Sequence, residues 1–191
     1  MFTGIIKRTG IVKKIILNRK EIQIGIKSSL KLSKMDLGSS INCSGVCLTL
    51  EKIYKGLYYF YISKETFTTS NFKNIKLNHI VNLEKSLKLG NEISGHFVQG
   101  HVDTTSTIKN KKVCGKSWYL YFSISKSLKK FLVNKASITI NGVSLTIAKV
   151  FSNSFSIVVI PHTLKLTNLK NIKKNDIVNI EIDILAKYIK N

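Results

Sequence analysis

Residues able to move protons are concentrated in one short stretch of the sequence, from Gly95 to Asp103. This stretch holds two histidines, one carboxylate and two glycines. A histidine whose pKa is near neutrality can accept and donate protons at physiological pH, so acid or base catalysis is the chemistry we expect of His96 or His101. The alternative is that both histidines are merely packed or exposed. We expect no metal site, because the sequence lacks the further Cys or His spacing of a zinc site.

A candidate nucleophile lies at Cys47. A thiol attacks only as thiolate, which requires a base or a positive charge nearby, such as Lys64 or His101; the alternative is a buried, inert thiol. The three cysteines, Cys43, Cys47 and Cys114, form no C-x-x-C pair, and their odd number fits a reducing compartment. The sequence has no Gly-rich phosphate loop, dinucleotide fingerprint or G-x-S-x-G elbow, which argues against phosphoryl transfer, a conventional nicotinamide cofactor and α/β-hydrolase chemistry.

The candidate residues belong to a unit that occurs twice. Ile41–Leu50 matches Ile138–Ile147, and Lys64–Phe72 matches Pro161–Leu169, both at an offset of 97 residues. The small polar residues kept in both copies are Thr49 with Thr146, Thr66 with Thr163, and Cys47 with Ser144. Their retention indicates two like pockets that bind the same small molecule. The alternative is that threonine recurs only because it suits β-strands.

The elements that position these residues are mainly strands. Leu57–Ile62 and Phe155–Ile160 are short runs rich in aromatic and β-branched residues, which favour a strand. Ser44-Gly45 and Asn141-Gly142 supply turn residues between apolar flanks. About six short strands in each half are too few for an open sheet covered on both faces, and closure removes exposed edges. We therefore predict an all-β fold of two tandem, homologous, six-stranded antiparallel Greek-key barrels.

Helices are expected to be short. Ser127 can cap a turn whose apolar side is formed by Leu128, Phe131 and Leu132. The last residues could begin a helix that ends within two turns. The predicted boundaries are 1–94 for the first barrel, 95–185 for the second barrel and 186–191 for a short C-terminal helical tail.

The net charge of +21 in 191 residues is the strongest compositional signal. Alone it would indicate a nucleic-acid or membrane partner, but the lysines are spread along the chain, and Ile and Asn are abundant as well. We interpret the charge as compositional bias. No stretch approaches the roughly 20 apolar residues of a membrane span, and the N-terminus has no leader pattern. We expect a cytoplasmic protein with neither a nucleic-acid nor a membrane partner.

Together, these segments closely resemble the riboflavin synthase family of the α-chain type, over essentially the whole chain. Seven blocks in family order carry the resemblance: Met1–Ile6, Gly45–Thr49, Lys64–Thr66, Gly95–His96 with Gly100–Val102, Gly142–Thr146, Ile160–Leu164 and Asn179–Asp183. The resemblance implies a cofactor-free dismutation in which two molecules of 6,7-dimethyl-8-ribityllumazine exchange a four-carbon unit. The products are riboflavin and 5-amino-6-ribitylamino-uracil, in the last step of riboflavin biosynthesis.

The resemblance also implies a homotrimer whose working site lies between the first half of one subunit and the second half of its neighbour. Lumazine synthase is a further candidate partner. One substrate site would be lined by Cys47, Leu48, Thr49, Tyr61, Ile62, Ser63, Lys64, Glu65, Thr66, Gly100, His101 and Val102. The other would be lined by Gly4, Ile5, Ile6, Ser144, Leu145, Thr146, Val158, Val159, Ile160, Pro161, His162 and Thr163. Lys135 would reach the ligand of a neighbouring subunit. The candidates for acid, base and nucleophile are Cys47, His101, Ser144 and Asp183.

Two rival functions stay open from the sequence. The nearer is a non-catalytic lumazine- or flavin-binding protein of the same fold, which usually preserves the ligand residues in one half, whereas both halves keep them here. The more distant is a β-barrel that binds nucleic acid through aromatic and basic residues on one strand, for which Lys55–Tyr61 is the candidate segment. The resemblance does not say which half would hold the donor lumazine and which the acceptor.

Overall fold

The computed structural model describes residues 1–18 and 22–189. The first half contains β1 (Arg8–Leu17), β2 (Ile22–Ser28), β3 (Ser40–Cys43), β4 (Val46–Tyr54), β5 (Leu57–Tyr61) and β6 (Ile80–Lys85). The second half contains β7 (Thr104–Cys114), β8 (Ser117–Ser123), β9 (Ser137–Ile140), β10 (Val143–Val150), β11 (Ser154–Val159) and β12 (Ile177–Ile182). The α-helices are α1 (Lys64–Thr69), α2 (Lys126–Lys129), α3 (Pro161–Leu166) and α4 (Ile184–Ile189). Single 3₁₀ turns lie at Lys34–Asp36, Asn71–Asn74 and Asn168–Asn171.

The strands form two closed antiparallel barrels with the same strand order. The first barrel runs β1-β2-β5-β4-β3-β6, and the second runs β7-β8-β11-β10-β9-β12. In each barrel three consecutive strands form two hairpins, and the sixth strand returns to lie beside the first of them, which is the Greek-key arrangement. The predicted pair of six-stranded antiparallel barrels is confirmed.

Each barrel is filled by its own apolar core. In β4 the side chains of Leu48 and Leu50 point inward and are almost fully buried, whereas Cys47 and Thr49 point outward. This alternation follows from the two-residue period of a strand, and it separates side chains that fill the core from side chains that can meet a ligand. The second core includes Phe122 stacked on Phe155, with ring centroids 5.2 Å apart. Burying a large apolar side chain stabilises such a core by roughly 1.5–3 kcal/mol.

Two tight hairpin turns meet back to back where the barrels touch. Ser44 and Gly45 join β3 to β4, Asn141 and Gly142 join β9 to β10, and all four residues have positive φ. A Cβ atom on Gly45 would lie 3.0 Å from the backbone nitrogen of Gly142, and one on Gly142 would lie 2.7 Å from that of Gly45. The turns that the sequence predicts are therefore confirmed, and their glycines are required both by φ and by the close approach of the two barrels.

A symmetrical network of asparagines joins the two barrels. The side-chain amide of Asn82 in β6 donates to the Asn141 carbonyl at 2.8 Å, and that of Asn179 in β12 donates to the Ser44 carbonyl at 2.8 Å. The Oδ1 atoms of the same two residues accept from the backbone N–H groups of Asn168 and Asn71, at 2.7 and 2.6 Å. Each bond has a counterpart 97 residues along the chain, so the two barrels are related by an approximate two-fold axis.

The helices differ from expectation in detail. Helix α2 is capped by Ser125, whose hydroxyl accepts from the Leu128 N–H, and not by Ser127 as predicted. Helices α1 and α3 were not predicted as helices. The C-terminal helix is present and begins at Ile184, two residues before the predicted tail, while residues 190 and 191 of that tail lie outside the described residues. None of the helices in the described part of the chain is long and apolar enough to span a bilayer.

Candidate active site

In each barrel, the first residues of one strand pair with the strand on one side only. The other edge of these residues is not paired with a strand of the same barrel, and we call it the open strand edge. Strand β4 pairs with β3 through Val46–Thr49, whereas its pairing with β5 begins only at Leu50. Strand β5 ends at Tyr61, and the chain then turns through Ser63, the N-cap residue of α1. We call the space between Cys47–Thr49 and residues 61–66 the first cleft. It brings together the first set of residues predicted to bind the substrate.

The second barrel repeats this arrangement. Strand β10 pairs with β9 through Val143–Thr146 and with β11 from Ile147 onward. Strand β11 ends at Val159, and Pro161 occupies the first turn of α3. The second cleft therefore lies between residues 144–146 and residues 158–163, which are the second set of predicted substrate residues.

The two clefts are completed by exchanged segments. We call residues 2–6 and 98–102 the leading segments, since each precedes the first strand of its half. The Cys47 N–H donates to the Gly100 carbonyl at 2.8 Å, and the Ser144 N–H donates to the Gly4 carbonyl at 2.8 Å. The leading segments also pair with each other through Phe2 and Val98. Each leading segment thus lies against the cleft of the other half, which places Gly4 beside Ser144 and Gly100 beside Cys47.

A buried histidine contacts the second cleft. His96 is 9% exposed, its Nδ1 atom lies 2.7 Å from the Ser144 hydroxyl, and its Nε2 atom lies 3.1 Å from the Thr139 hydroxyl. Burial lowers the pKa of His96, while the nearby Asp183 carboxylate opposes that shift. Burial thus favours the neutral imidazole, in which one ring nitrogen donates a hydrogen bond and the other accepts one.

A neutral imidazole beside a hydroxyl is an arrangement that can transfer protons. When the Ser144 O–H donates to Nδ1, the Nε2–H donates to Thr139, and the serine oxygen gains nucleophilic character. Asp183 is half-buried at the start of α4, where its Oδ1 atom accepts from the Leu185 N–H at 3.0 Å. Of the predicted catalytic candidates, Ser144 and Asp183 thus both lie near one histidine.

The other two candidates lie in different surroundings. Cys47 is half-buried at the head of β4, close to the fully buried Cys43, whose thiol pKa burial raises. His101 is exposed on the leading segment of the second half. Lys135, with φ of 70°, is exposed in the loop before β9, and its N–H donates to the Ile147 carbonyl.

Some predicted binding residues turn their side chains away from the clefts. Ile62 and Val159 are fully buried in the barrel cores, and Leu48 and Ile6 are 4% exposed. The side chains of these four residues therefore fill the cores and do not line the clefts. Large apolar side chains nearby are instead open to solvent: Tyr61 is 45% exposed, Phe97 42% and Ile160 54%. The cleft surfaces are thus open and partly apolar.

Two concave regions of the surface lie outside these clefts. One, of about 600 Å³, is bordered by Ile5, Lys7, Glu84 and residues 85–88 and 90–92. The other, of about 520 Å³, lies between the barrels among asparagines of the two 3₁₀ turns that follow α1 and α3. Neither region is centred on the predicted ligand residues, which lie instead at the strand edges of the two clefts.

The contacts of His96 and of the repeated asparagines were not predicted from the sequence. Acid–base chemistry was expected of His96 or His101, but only His101 is among the four predicted catalytic candidates. The signal for the network was present, since Asn71 and Asn82 recur as Asn168 and Asn179 at the common offset. A polar pair kept in both copies can bind a ligand or join the copies to each other.

Comparison with known proteins places these features in a family. A model described as the lumazine binding domain matches residues 3–86 and again residues 99–183. The riboflavin synthase of Photobacterium leiognathi is 37% identical over 190 residues, which span 99% of this chain and 87% of that protein. The riboflavin synthase of Bacillus subtilis (strain 168) is 35% identical over 188 residues, spanning 98% and 87% of the two chains.

Solved structures of LumP show the same architecture. LumP complexed with riboflavin superposes with a TM-score of 0.84 at 28% identity, covering 95% of this chain and 99% of LumP. LumP complexed with 6,7-dimethyl-8-(1'-D-ribityl) lumazine superposes with a TM-score of 0.82 at 27% identity and the same coverage.

Proposed function

Since the chain belongs to the riboflavin synthase family and carries its lumazine-binding domain twice, it is an enzyme of the transferase type, and we propose that it catalyses a dismutation of 6,7-dimethyl-8-ribityllumazine. Two molecules exchange a four-carbon unit, and the products are riboflavin and 5-amino-6-ribitylamino-uracil. The substrate serves as both donor and acceptor, so a protein with two similar clefts suits the reaction.

The main support for the proposal is that both halves of the chain have a complete cleft. Each has an open strand edge, an outward-facing threonine, a small polar residue two positions earlier, and a leading segment from the other half. A protein that only binds one lumazine or flavin needs one such cleft. The LumP structures with bound lumazine and riboflavin keep the binding function as the second candidate.

The clefts suggest how each lumazine is held. The N–H groups of Cys47 and Ser144 donate to Gly100 and Gly4, so the remaining backbone groups of residues 47–49 and 144–146 at the cleft edges would bind the polar edge of the pyrimidine ring, assisted by the hydroxyls of Thr49 and Thr146. Glu65 and Thr66 lie in the first turn of α1 and offer polar groups to the ribityl hydroxyls. Holding two rings face to face converts a bimolecular encounter into an oriented one, which supplies much of the rate enhancement.

The open, partly apolar surfaces fit a site that a second subunit closes. Tyr61 ends β5 at the first cleft and Ile160 is the N-cap residue of α3 at the second cleft, and both are about half exposed. A homotrimer that places the first cleft of one subunit against the second cleft of its neighbour would cover them and bring the two lumazines together. Lys135, exposed before β9, would then reach the ligand of the neighbour.

We assign the protein to the cytoplasm, where Cys43, Cys47 and Cys114 remain free thiols. Lumazine synthase is a further candidate partner.

The two clefts contain different reactive side chains. The Ser144–His96 pair is the candidate for removing a proton from the C7 methyl group of a bound lumazine, whose ring delocalises the resulting charge. A moderate base is therefore sufficient. Cys47 is the candidate nucleophile in the other cleft, and Asp183 tunes His96 through its charge.

The test is incubation of the purified protein with 6,7-dimethyl-8-ribityllumazine while riboflavin formation is followed by absorbance. We expect riboflavin to appear at half the rate of substrate loss, because two substrate molecules give one riboflavin. Binding without turnover would establish the binding function instead, and a lack of binding would exclude both functions.

A further inference from the structure

Each barrel contains one nearly buried carboxylate in its last strand. Glu84 in β6 is 4% exposed and Glu181 in β12 is 2% exposed, and they are 97 residues apart. Burying a carboxylate without compensating hydrogen bonds is strongly unfavourable, so the partners of a buried carboxylate indicate what it holds in place.

The partners of both carboxylates lie in the leading segments, and all but one of them are backbone N–H groups. Glu84 accepts from the Thr3 N–H at 2.8 Å, the Thr3 hydroxyl at 2.7 Å and the Gly4 N–H at 3.0 Å. Glu181 accepts from the Gln99 N–H at 2.6 Å and the Gly100 N–H at 2.9 Å. Glu84 accepts three hydrogen bonds and Glu181 accepts two, so each carboxyl group fixes one leading segment.

The opposite side of each leading segment contacts the other barrel. Gly4, held by Glu84, accepts the Ser144 N–H of the second cleft, and Gly100, held by Glu181, accepts the Cys47 N–H of the first cleft. The contacts are tight, since a Cβ atom on Gly4 would lie 2.6 Å from Cβ of Ser144, and one on Gly100 would lie 2.7 Å from Cβ of Cys47. A small displacement of a leading segment therefore moves the head of β4 or β10.

We propose that Glu84 and Glu181 are positioning residues that act across the two halves, so that the carboxylate of each barrel sets the geometry of the other barrel's cleft. Glu84 of the first barrel positions Ser144, and Glu181 of the second barrel positions Cys47. Neither carboxylate contacts the outward faces of Cys47 or Ser144 directly; each acts through one glycine. The identity of the ligand in these clefts rests on the proposed function, whereas the crossed connection can be measured without a ligand.

The experiment uses the full-length, ¹⁵N-labelled protein and amide hydrogen exchange at Cys47 and Ser144. In Glu84→Gln, one oxygen acceptor is replaced by an NH₂ group that cannot accept from Thr3 or Gly4. We expect exchange at Ser144 to accelerate about tenfold, while exchange at Cys47 changes less than about twofold. In Glu181→Gln the pattern reverses. Acceleration within the same half, or equal acceleration at both amides, overturns the proposal.

A milder pair of variants keeps the test decisive if a buried glutamine prevents folding. Thr3→Val removes the hydroxyl that donates to Glu84 and leaves the backbone donors in place, whereas Thr3→Ser keeps a hydroxyl. We expect Thr3→Val to accelerate exchange at Ser144 and not at Cys47, and Thr3→Ser to restore the wild-type rate at Ser144. If Thr3→Val affects Cys47 as much as Ser144, the crossed connection does not exist.

Activity separates this inference from the proposed function. With the wild-type enzyme turning over lumazine, we expect both glutamine variants to lower kcat about tenfold or more, and Thr3→Ser to keep the kcat that Thr3→Val loses. A wild-type protein that shows the crossed exchange pattern but makes no riboflavin removes the proposed function and leaves the crossed positioning intact. A wild-type protein that makes riboflavin, with variants lacking the crossed pattern, removes only the positioning role.

Discussion

The two barrels share one architecture but differ in the polar groups at their clefts. In the second barrel, Ser144 contacts His96, which also contacts Thr139. In the first barrel the positions of Ser144 and Thr139 are taken by Cys47 and Asn42. The Oδ1 atom of Asn42 accepts from the Gly45 N–H at 2.7 Å, whereas its buried Nδ2 atom has no hydrogen-bond partner among the described residues.

The two copies share the residues that hold the structure together and differ in the reactive side chains at their clefts. The asparagines between the barrels, the buried carboxylates and the turn glycines are the same in both. The thiol and the serine–histidine pair are each found in one cleft only. This difference fits a reaction in which the same molecule plays two roles, because the two sites then need the same shape and different acid–base properties.

The largest expected effect comes from removing the histidine that only the second cleft contacts. Loss of a general base typically costs about 10²–10⁴-fold in rate, so we expect His96→Gln to lower kcat for riboflavin formation by that range. The exposed His79, on the surface between the barrels, provides the matched control, since His79→Gln should stay within about twofold of the wild-type rate. Equal activity of His96→Gln and wild type would show that the two clefts do not differ in proton transfer.

The pH dependence of stability should distinguish the two buried carboxylates. Burial raises the pKa of Glu181 from 4.5 to about 7; the Gln99 and Gly100 N–H groups and Lys187 oppose the shift, and Asp103 adds to it. The folded state thus binds this proton at higher pH than the unfolded state. The stability linked to it is fully present below pH 4.5 and is lost as pH rises through about 7, a difference of roughly 3 kcal/mol.

Urea unfolding of wild type and of Glu181→Gln between pH 4.5 and 8 measures this effect. We expect the decline in unfolding free energy toward high pH to be steeper in the wild type than in the variant. Burial also raises the pKa of Glu84, but the extra hydrogen bond from the Thr3 hydroxyl opposes the shift. Glu84→Gln should therefore reduce the pH dependence of the unfolding free energy less than Glu181→Gln does. Identical profiles for all three proteins would contradict the assignment.

The shared framework predicts equal losses of stability from equivalent positions in the two barrels. Asn82→Ala and Asn179→Ala each leave a carbonyl and a backbone N–H of the other barrel without their partner, so each should lower the unfolding free energy by about 1–3 kcal/mol. The exposed Asn74 is the control, because Asn74→Ala should change it by less than about 0.5 kcal/mol. Clearly unequal losses at Asn82 and Asn179 would mean that the approximate two-fold axis does not extend to the energetics.

The smallest effect should come from making the two clefts alike. Cys47→Ser gives the first cleft the same residue as the second with almost no change in volume. If the thiol acts as nucleophile, kcat should fall about tenfold, since a serine hydroxyl without an adjacent base is a weaker nucleophile. Cys114→Ser, which changes an exposed thiol outside both clefts, is the control. Unchanged turnover in Cys47→Ser would remove Cys47 from the chemistry and leave it a binding role.

Much of the fold could be predicted because its signals are local. Alternating apolar residues in segments such as Val46–Leu50, together with the Ser44-Gly45 and Asn141-Gly142 turns, indicate strands and hairpins directly, and the repeat doubles each signal. Helices α1 and α3 were missed because six residues are too few to show a helical period. The cap of α2 was placed at Ser127 since Ser125 and Ser127 both have the right residue type.

The site was predicted less completely because its decisive contacts are long-range. His96 lies 43 and 48 residues from Thr139 and Ser144 in the sequence, and only the fold shows that it, rather than His101, is buried beside them. Likewise, the retained Asn82 and Asn179 could equally have bound a ligand; that they join the two barrels depends on how the barrels meet.

The symmetry of the asparagine network shows that the two barrels meet in the same way as two subunits of a homodimer. The four hydrogen bonds of Asn82 and Asn179 described above form two equivalent pairs, so the interface resembles the isologous interface of a two-fold homodimer. Such an interface needs no covalent link between its partners. Two identical single barrels with these residues would therefore associate in the same way, whereas one chain with two barrels allows each cleft to have its own reactive group.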